Sequence, residues 1–174
     1  MIFSNFKKYN ITMELFDLQN FIKQNSKINS MNIKYMDDCD IYEYNVNIEG
    51  INHIIKIIDN GELLKIDYDD KILDNDIDIQ LELFELFNYK NIEYIDCYIL
   101  NKQRLKNIEV LNMYDDYYDN NEGILICDRS FIKDDRTIKI KIIVYDNGAD
   151  YKMYYNLDEI SGFDEIIKTL DLIL

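Results

Sequence analysis

Apolar and polar positions along the chain divide it into helical and extended stretches. Leu15, Leu18 and Ile22 form an apolar stripe at helical spacing, with Phe21 and Asn25 in the same rhythm. The spacing predicts a helix over 13–26, with Thr12 as its cap. IYEYNVNI alternates and predicts a strand over 41–48. After a Glu49-Gly50 turn, INHIIKII predicts a second strand over 51–58. Asp59-Asn60-Gly61 is a hairpin signal, since Asn-Gly takes the positive φ of a tight turn, and ELLKIDY returns as a strand over 62–68.

The acidic connection DDKILDNDIDIQ leads into a predicted helix over 77–89, although Ile77, Ile79, Leu81 and Leu83 also alternate as a strand would. IEYIDCYIL reads as a strand over 92–100, NKQRLKN as a basic turn or short helix, and IEVLNM as a strand over 108–113. MYDDYYDNNEG reads as an acidic, tyrosine-rich loop, followed by a short strand over 124–127. TIKIKIIVY sets Ile138, Ile140 and Ile142 against Lys139 and Lys141, a strand with one wet face over 137–145. Asp146-Asn147-Gly148 signals another hairpin, with 151–155 returning. Ser161, three residues before Asp164, then reads as the cap of a terminal helix whose apolar face is Phe163, Ile166, Ile167, Leu170 and Leu174.

These elements predict an α+β fold: a mainly antiparallel sheet of about five to seven strands, with about three helices, the first and last lying against one sheet face. The expectation is a single compact domain over 1–174. The halves echo each other, with Gly61 and Gly148 at corresponding turns. A pseudo-repeat of 11–90 and 91–174 therefore stands beside the plainer reading of a common motif used twice. The order helix, three strands, helix, strands, helix is similar to that of type III secretion chaperones, which are also small and acidic; the resemblance implies a chaperone-type homodimer and assigns no residue a role.

Charge changes the picture most. The chain of 174 residues has 34 Asp and Glu against 19 Lys and Arg, a formal net charge of −15. Such a surface disfavours direct binding to nucleic acid or to an anionic membrane. With 48% hydrophobic residues the chain still has enough apolar material for a core. The absence of Pro and Trp, beside 31 Ile and 20 Asn, fits coding bias in an A+T-rich bacterial or viral genome, so it says little about mechanism. Cys39, Cys97 and Cys127 are odd in number and widely spaced, which fits free thiols in a reducing compartment. Without an apolar leader or a run of about 18 apolar residues, the expected location is the cytoplasm of a cell or infected host.

Candidate chemistry is sparse. Asp74, Asp76, Asp78, Gln80 and Glu85 stand at calcium-loop spacing, but Ile79 occupies the position that needs glycine, and an acidic helix start explains them better. His53 is the only histidine and lies in a predicted strand, so no catalytic residue, metal or cofactor is assigned. The carboxylates leave a metal-dependent hydrolase or nuclease as an alternative. Lys102, Arg104 and Lys106, and Lys133, Arg136, Lys139 and Lys141, read as surface decoration. The sharper candidate is the Tyr–Asp stretch: Tyr114, Asp115, Asp116, Tyr117, Tyr118, Asp119 and Glu122. Tyrosine gives large contact area with few rotors to freeze, and carboxylates steer a basic partner into contact. The leading expectation is a non-catalytic acidic protein binding a basic partner surface, as an inhibitor, immunity or counter-defence factor or a nucleic-acid mimic would. Its oligomeric state is open.

Overall fold

Alternation in the first half of the chain produces a meander. In the computed structural model, which describes residues 14–69, 71–106, 108–145, 148 and 150–174, contacts group into two units, Met1–Asn88 and Tyr89–Leu174. The first contains α1 (Leu15–Asn25), β1 (Lys27–Tyr35), β2 (Asp40–Ile48), β3 (Ile51–Asp59), β4 (Leu64–Tyr68), β5 (Lys71–Leu73) and α2 (Asp76–Leu86). The second contains α3 (Ile92–Lys106), β6 (Glu109–Asp119), β7 (Ile124–Lys133), β8 (Arg136–Tyr145), β9 (Tyr151–Tyr155), β10 (Asp158–Ser161) and α4 (Phe163–Ile173). Among the described residues each unit is thus a helix, a five-stranded antiparallel meander in sequential order, and a second helix. The fold class is α+β as the pattern predicts, with two sheets and four helices among the described residues in place of one sheet and three.

In the first unit Tyr44, Val46, Ile55, Ile57, Ile66 and Tyr68 are buried, the alternate residues of three neighbouring strands. The helices contribute Leu18, Phe21 and Ile22 from α1 and Ile79, Leu83 and Phe84 from α2. Phe21 meets Phe84 and Phe87 edge-on, at 5.5 and 5.4 Å between centroids. At the predicted hairpin, Gly61 takes φ +84° and Asn60 Oδ1 accepts from the amides of Glu62 and Leu63. The second core gathers Ile95 and Ile99 of α3, Cys127 and Phe131 of β7, Ile140 and Ile142 of β8, and Ile166 and Leu170 of α4.

Several expectations are corrected. Residues 92–100 form a helix: Ile92, Ile95 and Ile99 also fit helical spacing, and Asn91 Oδ1 accepts from the Tyr94 amide at 2.9 Å, an N-cap that starts the helix there. Residues 27–35 form a strand that their weak alternation did not reveal. The strand expected over 124–127 runs to Lys133, and β5 interrupts the acidic connection. Ser161 does not cap α4; it is paired with Lys152 in β10, and Gly162 at φ +91° starts the helix. The expected helix start at 13 and its cap Thr12 lie outside the described residues, as do Asp146 and Asn147; Gly148 donates to the Tyr145 carbonyl at 2.8 Å. The first and last helices belong to different units, each of which has its own sheet. The element order on which the chaperone resemblance rested is likewise replaced.

Three strand pairs close through two-residue turns with positive φ at both positions: Glu49-Gly50, Asp134-Asp135 and Asn156-Leu157. Leu157 is the costly member, a fully exposed γ-branched residue at φ +73°. Leu157→Gly is expected to raise stability by about 0.5–1 kcal/mol, net of glycine's larger backbone entropy. Chemical denaturation checks this, and a destabilised variant contradicts it.

Candidate interaction edge

The Tyr–Asp stretch is a strand. It forms most of β6, the end strand of the second sheet among the described residues, and its register against β7 is regular over Asp115↔Asp128, Asp116↔Cys127, Tyr117↔Ile126, Tyr118↔Leu125 and Asp119↔Ile124. The expectation of a loop over 113–123 is therefore corrected. Tyrosine is a good strand former, and pairing with an apolar neighbour strand overrides the polar composition. The turn itself is confined to 120–123, where Asp119 Oδ1 accepts from the Asn121 amide at 2.9 Å and Gly123 donates to the Asp119 carbonyl at 2.9 Å.

A period of two sends neighbours to opposite faces. Asp116 and Tyr118 lie on the face that bears α3, whereas Asp115, Tyr117 and Asp119 lie on the other. Tyr117 is 51% and Tyr118 48% exposed. Glu122 is exposed in the turn, and the side chain of Tyr114 lies outside the described residues. Among the described residues no ion pair includes Asp115, Asp119 or Glu122.

Asp116 differs from its neighbours because Arg129 holds it. Arg129 lies on the helix-facing side of β7, 1% exposed. Its Nε and Nη2 donate to the two Asp96 oxygens at 2.8 and 2.9 Å. Nη1 donates to Asp116 Oδ1 and to the Asp128 carbonyl at 3.1 Å, and Nη2 to Asp116 Oδ2 at 3.3 Å. These five bonds use all five N–H donors of the guanidinium, the condition under which a buried cation is tolerable. They tie α3, β7 and β6 into one assembly. Burial pushes the Asp96 carboxyl up to about 6 against the opposing pull of Arg129, and burial raises Glu93 one helical turn before it. Sequence reading missed Arg129 and Asp96; three arginines in the whole chain, one of them in an apolar strand, was the available signal.

The other candidates are dispersed. Asp76 and Asp78 sit in the first turn of α2, with Asn75 Oδ1 accepting from the Ile77 and Asp78 amides, so 74–85 is not a loop and cannot wrap an ion in that geometry. Among the described residues no three His, Cys, Asp or Glu side chains are placed to hold a metal. His53 Nδ1 lies 3.2 Å from the Tyr68 hydroxyl and 3.8 Å from Asp69 Oδ2, and burial followed by Asp69 pushes Tyr68 up to about 12. Lys102 pairs with Asp171, Lys133 donates to the Ile173 carbonyl, and Lys139 and Lys141 are exposed on the face of β8 opposite Ile140 and Ile142. The carboxylates divide evenly, 17 in each unit, so neither unit alone accounts for the charge.

Cys97 and Cys127 are buried and Cys39 is half-buried; burial raises both buried thiols above the usual range. A thiol reagent is expected to label Cys39 in the folded protein and all three only after denaturation. Prompt labelling of Cys97 or Cys127 in the native state would contradict this packing.

Among the described residues this is an α+β protein with two five-stranded antiparallel meanders, one of which carries the Tyr–Asp strand at its end. Among known proteins, no family model, no curated protein and no solved structure matches the chain. No described helix is long and apolar enough to cross a membrane.

Proposed function

We propose that this is a non-catalytic interaction protein that binds a basic partner surface through β6 and the 120–123 turn. It would act as an inhibitor, immunity or counter-defence factor acts, by occupying its partner. The observation that carries this reading is the acidic stretch of β6 and its turn, where Asp115, Asp119 and Glu122 lie outside the described ion pairs and flank two half-exposed tyrosines. A strand sets alternate side chains on one face, so carboxylate and tyrosine are presented together to a partner. The carboxylates raise the encounter rate with a positive surface, and the tyrosines supply the contact area. Asp116 is the anchor that fixes the strand to the core through Arg129.

The test is affinity capture with the wild type and with Asp115→Asn/Asp119→Asn/Glu122→Gln. The wild type is expected to retain a basic protein in a salt-sensitive, stoichiometric complex, and the triple variant to bind it about tenfold or more weakly. Binding indifferent to both salt and the triple substitution would overturn the reading. Catalytic turnover lost with a chelator and restored by Mg²⁺ or Mn²⁺ would favour the carboxylate hydrolase instead.

A further inference from the structure

The turn between β3 and β4 gathers a carboxylate and two amide donors around one asparagine. Asp59 pairs with Leu64 at the ends of the two strands, and residues 60–63 connect them. Asn60, Gly61 and Glu62 are exposed, so water reaches them. Asn60 Oδ1 accepts from the Glu62 amide at 3.0 Å and from the Leu63 amide at 2.8 Å. The Gly61 amide donates to Asp59 Oδ1 at 2.8 Å. A Cβ at Gly61 would meet no atom within 4 Å, so the space beside this peptide is open, and glycine takes its φ of +84° without strain. Two amides thus polarise the Asn60 carbonyl, and the nitrogen that follows it in the chain holds its proton against a carboxylate.

We propose that Asn60 is a self-modification site, where the Gly61 nitrogen displaces the side-chain amide and closes a succinimide ring. The Gly61 nitrogen attacks Asn60 Cγ. Formation of the N–C bond makes the Gly61 proton acidic, and Asp59 takes it as general base. The charge that collects on Oδ1 is held by the Glu62 and Leu63 amides, which already point at that oxygen. The Cγ–Nδ2 bond then breaks, Asp59 returns the proton to the departing nitrogen, and ammonia leaves. Water opens the ring at either carbonyl and leaves an aspartyl or an isoaspartyl residue at position 60. The reactants are this chain and water. Either product adds a carboxylate to a chain already at −15. The isoaspartyl form also adds a methylene to the main chain inside a turn closed by Asp59 and Leu64, so it loosens the hairpin that places Ile57 and Ile66 in the core.

Incubation of the folded full chain in near-neutral buffer made with heavy-oxygen water, followed by peptide mapping, tests this. The expected result is conversion at position 60 with one labelled oxygen, in aspartyl and isoaspartyl forms. The same chain in urea is expected to convert about tenfold more slowly, because the base and the two donors are no longer held in place. Asp59→Asn keeps an acceptor for the Gly61 amide but removes the base, and it is expected to slow conversion of the folded chain about tenfold. A thermal melt matching the wild type verifies the fold of this variant, and Asp59→Ser replaces it if its melt falls. A folded chain that stays unconverted at position 60, one that converts no faster than in urea, or an Asp59→Asn variant that converts as fast as the wild type would each overturn the proposal.

Discussion

Replacing Arg129 with leucine is expected to destabilise the second unit by about 3–5 kcal/mol, because it strands two carboxylates that the guanidinium now satisfies. Asp96 is the more costly of the two: its side chain is 15% exposed against 33% for Asp116, and it is bonded to Arg129 through both oxygens at good distances. The loss is expected as a lower denaturation midpoint and as faster hydrogen exchange in β6 and β7, the strands the arginine ties together. A companion comparison separates ion pairing from general acidity. Asp116→Asn removes a bonded carboxylate and is expected to destabilise, whereas Asp115→Asn, one residue earlier on the opposite face, is expected to change stability by no more than about 0.5 kcal/mol. Equal effects at 115 and 116 would show that the strand does not have this register.

Phe21→Ala is expected to cost the first unit about 3–5 kcal/mol. The ring is 2% exposed and sits edge-on to both Phe84 and Phe87, so it joins α1 to the end of α2. Truncation leaves a cavity bounded by two helices and removes two aromatic contacts, each worth about 0.5–1.5 kcal/mol beyond its area. Phe16 is the control. It lies on the same helix at 69% exposure, and Phe16→Ala is expected to stay within about 0.5 kcal/mol of the wild type. Chemical denaturation of the two variants side by side checks the pair. Similar losses at 16 and 21 would mean that α1 packs on another face.

Where local signals and tertiary packing agree, the fold was legible. The Asp59-Asn60-Gly61 turn is stabilised by its own side chains, so three residues suffice to specify it. The apolar stripe of α4 is regular enough to place Phe163, Ile166 and Leu170 in the core without further context. Residues 92–100 were not legible in the same way, because Ile92, Ile95 and Ile99 serve a helix while the dense apolar run equally suits a covered strand; the Asn91 cap and the Arg129 bridge to Asp96 decide for the helix. The Tyr–Asp stretch was not legible as a strand, since its polarity outweighed tyrosine's strand preference until β7 supplied a partner.

The high net charge, the α+β class, the tight turns and the scarcity of recognised catalytic motifs were determined by the sequence alone, because each depends on residue identity or on neighbours within one turn of chain. Only the tertiary structure decided that the carboxylates of β6 have different roles. Asp116 is bound to a buried arginine 13 positions away, while Asp115 and Asp119 lie on the opposite face of the strand, outside the described ion pairs. That division follows from strand pairing: a shift of one residue would exchange the two faces, and the register is fixed by β7 and by the guanidinium that Asp96 and Asp116 share.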